Sequence, residues 1–291
     1  MPSDLVLKNA NVITMDAAHP GVGLVAVDGD TIFFVGGSDE AERLTGRNTR
    51  VIDCEGKTVV PGFNDAHIHL FSLIKKLLSV DISPAAVRSI AGIKEAVRKK
   101  AAKTPPGAWI SGTDYNEFHL EEKHCPTRWD LDEAAPDHPV IFSHRSLHAC
   151  VLNSLALSLA GITKDTPEPP GARIERDIET GEPNGILIDM LSHIRSGVMP
   201  ALSEAELNEG LALANKLFLS HGITSVQEAT VNNGTERWET VCGFILNQQL
   251  RSRMTMMAGA PYWKEFQKVN MKTGNGDNLM QLAAVKFVLE V

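Results

Sequence analysis

The chain has 291 residues, 43% hydrophobic and 22% charged, enough to bury a substantial core in one large or two modest domains. A net charge of −8 and a pI near 5.7 argue against nucleic acid or an anionic membrane surface as a partner. The four cysteines (Cys54, Cys125, Cys150, Cys242) are scattered with no Cys-x-x-Cys pair, which excludes a disulfide framework and suits a reducing compartment.

Taken in chain order, Met1-Pro2-Ser3-Asp4 lacks the charged and apolar regions of a signal peptide. No apolar run approaches the roughly 18 residues that span a bilayer, so a soluble cytoplasmic protein is expected. Residues 5 to 60 read as short strands: Leu5–Met15, Gly23–Val27, Thr31–Val35 and Arg50–Asp53, with Asp28-Gly29-Asp30 as a tight hairpin turn. Val59-Val60-Pro61-Gly62-Phe63-Asn64-Asp65-Ala66-His67-Ile68-His69 is an apolar strand, broken at Pro-Gly, that resumes and ends in two histidines. Alternation puts His67 and His69 on one face, about 6–7 Å apart along the backbone. Two imidazoles aimed into one space can hold a divalent metal, and such a metal makes water nucleophilic at neutral pH.

Beyond His69 the spacing turns helical. Ser83-Pro84 reads as a cap with an N1 proline, followed by Val87, Ile90, Ile93, Val97 and Ala101 on a helix that Thr104-Pro105-Pro106-Gly107 stops. The basic cluster at Arg98-Lys99-Lys100 sits where cations complement the helix dipole. Trp109–Gly112 and Pro139–Ser143 read as strands, with a polar excursion from 114 between them of the kind that covers an active site. Asn153–Ala160 reads as a short helix, and residues 163–185 are rich in turn signals. Ser203 and Glu206 form a capping box, and Leu207, Leu211, Ala214 and Phe218 line one face of the helix that follows. Gly222 stops it. Ile223–Val226 is a strand, Trp238–Leu250 a helix, Arg253–Met257 a strand, and Ala283–Val291 a last apolar strand. This alternation predicts an α/β fold with a parallel sheet.

Several of these stretches together resemble the amidohydrolase superfamily of metal-dependent hydrolases: Pro61–His69, the opening Leu7–Asp16, Pro126–Asp132, Asn153–Leu157 and His221–Val226. The last three resemble the branch that includes N-substituted formamide deformylases. The resemblance implies a TIM-like barrel with metal at the C-terminal ends of its strands and hydrolysis of amide-type C–N bonds. It also implies one or two divalent ions, zinc foremost, and a small-molecule amide as substrate, with homo-oligomerisation open. Under it, residues 1–60 form part of a composite β-sandwich, and 61–291 a partial barrel with an excursion around 114–200.

The resemblance casts His67 and His69 as metal ligands and Lys286 as a lysine carbamylated to hold metal. A lysine inside an apolar strand is costly without a role, and burial favours the neutral amine that adds carbon dioxide. Glu290, on the same strand face, is the alternative bridging carboxylate, and Asp65 could orient a ligand imidazole. His148 matches a histidine that lies near the substrate in that branch; Arg145 and Tyr115 are further candidates for substrate contact. His144 and His148 are four apart, but a loop is expected there rather than a helix. His119, His124 and Cys125 lack a fourth spaced ligand and read as a solvated loop. Gly274-Asn275-Gly276 lacks the pattern of a phosphate loop, and no nucleophile elbow supports Ser/His/Asp catalysis.

A complete eight-fold barrel needs about 250 residues by itself, and only about four barrel strands are countable from His67 to Val291. The expectation is therefore the first half of a barrel, the N-terminal part of a longer enzyme. The resemblance then implies that the general-base aspartate and later histidine ligands lie beyond Val291. The alternatives are a non-catalytic half-barrel used for binding or assembly, and a metal-dependent deaminase.

Overall fold

The computed structural model describes residues 2–289; Glu290, the alternative bridging carboxylate, lies outside the described residues. The fold is mixed α/β, and it divides into two units: residues 1–65 with 222–225, and residues 66–221 with 226–291.

The first unit is built on β1 (Leu5–Lys8), β2 (Asn11–Val12), β3 (Leu24–Asp28), β4 (Thr31–Gly36), β5 (Arg50–Asp53) and β6 (Thr58–Val59), with a single helical turn, α1 (Ala41–Leu44). The expected first strand is interrupted because Asn9 takes a left-handed φ of 53°, a conformation that ends a strand. β4-β3-β1-β5 form one sheet and β2-β6 a two-stranded ribbon. Asp28 pairs with Thr31 across a two-residue turn, in which Gly29 supplies φ of +58° as such a hairpin requires. Val6, Leu24, Ala26, Ala41 and Leu44 form its core.

The chain then enters β7 (Phe63–Ile68) and α2 (Leu70–Leu78), followed by β8 (Val80–Asp81), α3 (Ile90–Ala101) and β9 (Ile110–Tyr115). The helix expected from Ser83 begins instead at Ile90. Ser89 accepts from the Gly92 N–H as its N-cap, and the Glu122 carboxylate takes the Ile90 N–H, so the start is fixed there. Ser83 to Val87 makes only an isolated turn, in which the Ser83 carbonyl accepts from Ala86 and Val87. The polar excursion holds α4 (Arg128–Ala134), opened by a capping box of Thr127 and Asp130. β10 (Val140–His144), β11 (Ala149–Leu152), α5 (Ser154–Leu159), β12 (Arg173–Arg176), β13 (Pro183–Ile188) and α6 (Leu191–Gly197) follow.

Six of these strands make one sheet in the order β12-β13-β11-β10-β9-β8. It is covered on both faces. Val140 and Phe142 pack with Ile93, Val97 and Leu131, whereas Ile141 packs with Leu157, Leu191 and Ile194, so β10 reads as an unbroken apolar run. Asn153 ties this together: fully buried, its Oδ1 accepts from Val140 and Ala156 N–H while its amide donates to the His138 carbonyl.

α7 (Glu204–Ser220) starts at the Ser203/Glu206 capping box and stops at Gly222, whose φ of +69° favours glycine. β14 (Ile223–Glu228), α8 (Thr235–Leu246), β15 (Arg253–Gly259), α9 (Trp263–Lys268) and β16 (Met280–Lys286) complete the described chain. β7, β14, β15 and β16 line up in that order in one sheet, with β15 and β16 parallel. The last strand ends at Lys286 rather than running on, and Phe287, Val288 and Leu289 are exposed. Among the described residues no helix is long and apolar enough to cross a membrane.

Candidate metal-binding site

The C-terminal half of β7 behaves as a strand with one buried face. Ile68 is buried while His67 and His69 on either side are exposed. Their rings meet edge to face, with centroids 5.2 Å apart and planes at 83°. The pleat therefore brings the two imidazoles together, as their spacing implies.

His69 is held from a distant part of the chain. Its Nδ1 lies 2.9 Å from the Thr230 hydroxyl. Thr230 is itself fixed through its backbone N–H, which donates to Glu228 Oε1 at 2.8 Å. The other oxygen of that carboxylate accepts the Leu70 N–H at 2.5 Å. Glu228 is fully buried at the end of β14, and Asn233 Nδ2 adds a weak third donor at 3.5 Å. Ala229 N–H donates to the Ile68 carbonyl at 2.9 Å, so residues 68–70 and 228–230 are stitched by three bonds. Neither Glu228 nor Thr230 carries a local sequence signal; His69 and Thr230 are 161 residues apart.

Lys286 closes β16 opposite Gly259. It is half-buried, and its carbonyl accepts from the Ala260 N–H at 2.9 Å. Among the described residues no group of three or more His, Cys, Asp or Glu side chains could hold a metal ion. His67 and His69 are thus two donors of the right chemistry for a divalent metal, which takes four in a tetrahedral zinc site. With Thr230 on Nδ1, Nε2 is the nitrogen of His69 left to face a ligand.

The remaining sequence candidates fall elsewhere. His148 is exposed in the hairpin between β10 and β11, with Nδ1 2.7 Å from Asp189 Oδ1. Asp189 takes a left-handed φ of 54° and its N–H donates to the His148 carbonyl at 2.6 Å. His144 ends β10 four residues earlier and is not on a shared helical face with His148. Its Nδ1 accepts the Ser146 N–H at 3.2 Å, which in the neutral ring puts the proton on Nε2; that nitrogen lies 3.1 Å from Glu117 Oε2. Tyr115 is fully buried and packs edge-on against His144, so it cannot touch a substrate as the sequence suggested. Its hydroxyl donates to Cys125 Sγ at 3.9 Å, and burial drives its pKa up. Arg145 is exposed. His119 is exposed, and His124 Nδ1 lies 2.9 Å from the Cys125 carbonyl oxygen. On α2, burial lowers the pKa of Lys75, with repulsion from Arg195 and Arg237 adding to it.

Comparison with known proteins gives a consistent result. Residues 50–290 match the model of the Amidohydrolase family. The N-substituted formamide deformylase of Arthrobacter pascens is 36% identical over 232 residues, covering 78% of this chain and 43% of that protein. The Arabidopsis thaliana protein LONG AFTER FAR-RED 3 is 30% identical over 226 residues, covering 77% of this chain and 38% of that protein. The chain therefore spans less than half the length of these curated relatives. In fold it resembles an uncharacterized metal-dependent hydrolase from Pyrococcus furiosus, with a TM-score of 0.73 at 23% identity, over 97% of this chain and 55% of that one.

Proposed function

The chain belongs to the amidohydrolase family, and from that premise we propose that it is part of a metal-dependent hydrolase that cleaves amide-type C–N bonds, with N-substituted formamides as the first substrate class. The observation that carries the reading is the pair of imidazoles at the end of β7, 5.2 Å apart, in a chain 36% identical to a formamide deformylase. In this reading residues 1–60 contribute to a β-sandwich, and β7, β14, β15 and β16 are the first four strands of a barrel.

When bound, a divalent ion lowers the pKa of water and polarises a scissile carbonyl. The chain's own residues supply the rest. His67 and His69 would hold the ion through their imidazole nitrogens. Lys286 stands at the end of β16, where its Nζ, once deprotonated, would add to carbon dioxide: an N–C bond would form, a proton would leave, and the carbamate would offer its two oxygens to the ion. His148, with Nδ1 engaged by Asp189, presents Nε2 for contact with the substrate.

The test uses the intact protein, stripped with a chelator and then given Zn²⁺. Formate release from N-substituted formamides should disappear on stripping and return with metal. Ammonia release from an aminated ring in place of formate would turn the reading to a deaminase. No turnover of any amide, hydantoin or ring amine with metal restored would overturn it in favour of a binding or assembly role.

A further inference from the structure

The sequence marks His67 and His69 but gives no hint of what aims them. We propose that Glu228 and Thr230 are positioning residues that fix the ring tautomer and orientation of His69, so that Nε2, not Nδ1, faces the metal. The inference rests on the metal reading for its purpose; the geometry that carries it is independent of any metal.

A carboxylate with no solvent exposure is unfavourable unless its lone pairs are filled. Glu228 is fully buried and forms no ion pair among the described residues; it accepts from two backbone N–H groups and the Asn233 amide. Both backbone donors belong to the site. Leu70 N–H follows His69 directly, and Thr230 N–H belongs to the residue whose hydroxyl meets the His69 ring. One carboxylate therefore clamps the backbone that carries the imidazole and the backbone that carries its partner.

Asn233 extends the clamp. Its amide also donates to the Met257 carbonyl at 3.0 Å, tying the end of β14 to β15. The Thr230 hydroxyl can either accept from Nδ1–H or donate to Nδ1; we assign it as the acceptor. When Nδ1–H donates to the hydroxyl oxygen, the Nε2 lone pair is free, which is the arrangement that a metal-bound histidine needs. Without the hydroxyl the neutral ring is free to exchange tautomers and to rotate about its side-chain bonds.

Two substitutions separate the parts. Thr230→Val keeps the shape and the backbone clamp but removes the hydroxyl, and Thr230→Ser restores it. Glu228→Gln keeps the size but sets an NH₂ group against one of the two backbone donors. In the intact metal-free protein, nitrogen NMR of labelled histidine rings should show His69 with its proton on Nδ1. That signature should give way to mixed tautomers in Thr230→Val and return in Thr230→Ser. Zn²⁺ affinity, measured against a competing chelator, should fall roughly 10- to 100-fold in Thr230→Val, with the melting temperature of the metal-free protein little changed. Glu228→Gln should lose affinity at least as far and also melt earlier.

An unchanged ring tautomer in Thr230→Val would overturn the proposal, as would zinc affinity within twofold of the parent. If the parent protein binds no zinc, it is the metal reading that falls. The ring signature then still decides whether Thr230 sets the tautomer, so the two failures are distinguishable.

Discussion

Cys150 illustrates how a single residue carries a pH dependence. It lies on β11, fully buried, and desolvation pushes its thiol up to about 12, with Arg195 drawing it slightly back. The native thiol therefore keeps its proton where the unfolded thiol, near 9.0, loses it. The unfolded state binds fewer protons in that window, so native stability falls as pH rises from about 9 towards 12, by about 1.4 kcal/mol per pH unit from this group. Below pH 9 the contribution is constant. Urea titrations at pH 8 and pH 10 should show a drop that Cys150→Ala reduces by about that amount, whatever the variant loses in packing at both pH values. An equal slope in parent and variant would mean the thiol ionises natively. The same burial predicts that iodoacetamide spares Cys150 until the protein unfolds.

At the scale of elements, α2 and α7 pack closely enough for one atom to matter. A Cβ at Gly210 would collide with Ile74 Cγ2, and Ile74 is buried on α2 directly downstream of His69. Gly243, in α8, has nothing within 4 Å of the same hypothetical atom. Replacing glycine by alanine in a helix gains up to about 1 kcal/mol, whereas overpacking costs typically 1–3 kcal/mol. Gly243→Ala should therefore raise the urea midpoint, and Gly210→Ala should lower it by roughly 1 kcal/mol of stability. Both substitutions raising the midpoint would show that α2 and α7 yield at this contact. The sequence made α7 legible because its signals are local: Ser203 and Glu206 fix the start, the stripe ending at Phe218 fixes the face, and Gly222 fixes the stop. The start of α3 was harder, since Ser83-Pro84 reads as a cap whereas the structure starts the helix at Ser89. The choice between them is made by Glu122, thirty-two residues from Ile90. Strands β12 and β13 lay hidden among turn signals because their order comes from pairing with each other and with β11, not from their own composition.

For the whole molecule, the same contrast between local and distant signals governs the site. His67 and His69 are readable because two residues of strand repeat set their face. Glu228 and Thr230 are not, because the fold alone brings them to His69. Such a site exists only in the native state, since unfolding scatters its donors, and any metal it binds must stabilise the fold by mass action. At a free zinc concentration 100 times the dissociation constant, that stabilisation is about 2.7 kcal/mol. With roughly 2–4 °C per kcal/mol for a domain somewhat smaller than this, the melting temperature of the chelator-treated intact protein should rise by about 5–10 °C. His69→Ala should abolish the rise. Cys242→Ala should keep it, because a partly exposed thiol on α8 belongs to no part of the proposed site. The sign of the shift separates the mechanisms: unfolded chains also bind zinc through cysteine and histidine, and that binding lowers the melting temperature instead. A rise that depends on His69 and not on Cys242 places the metal on β7. A fall, or a rise indifferent to His69, would remove the imidazole pair from the metal site and with it the chemical basis for hydrolysis here.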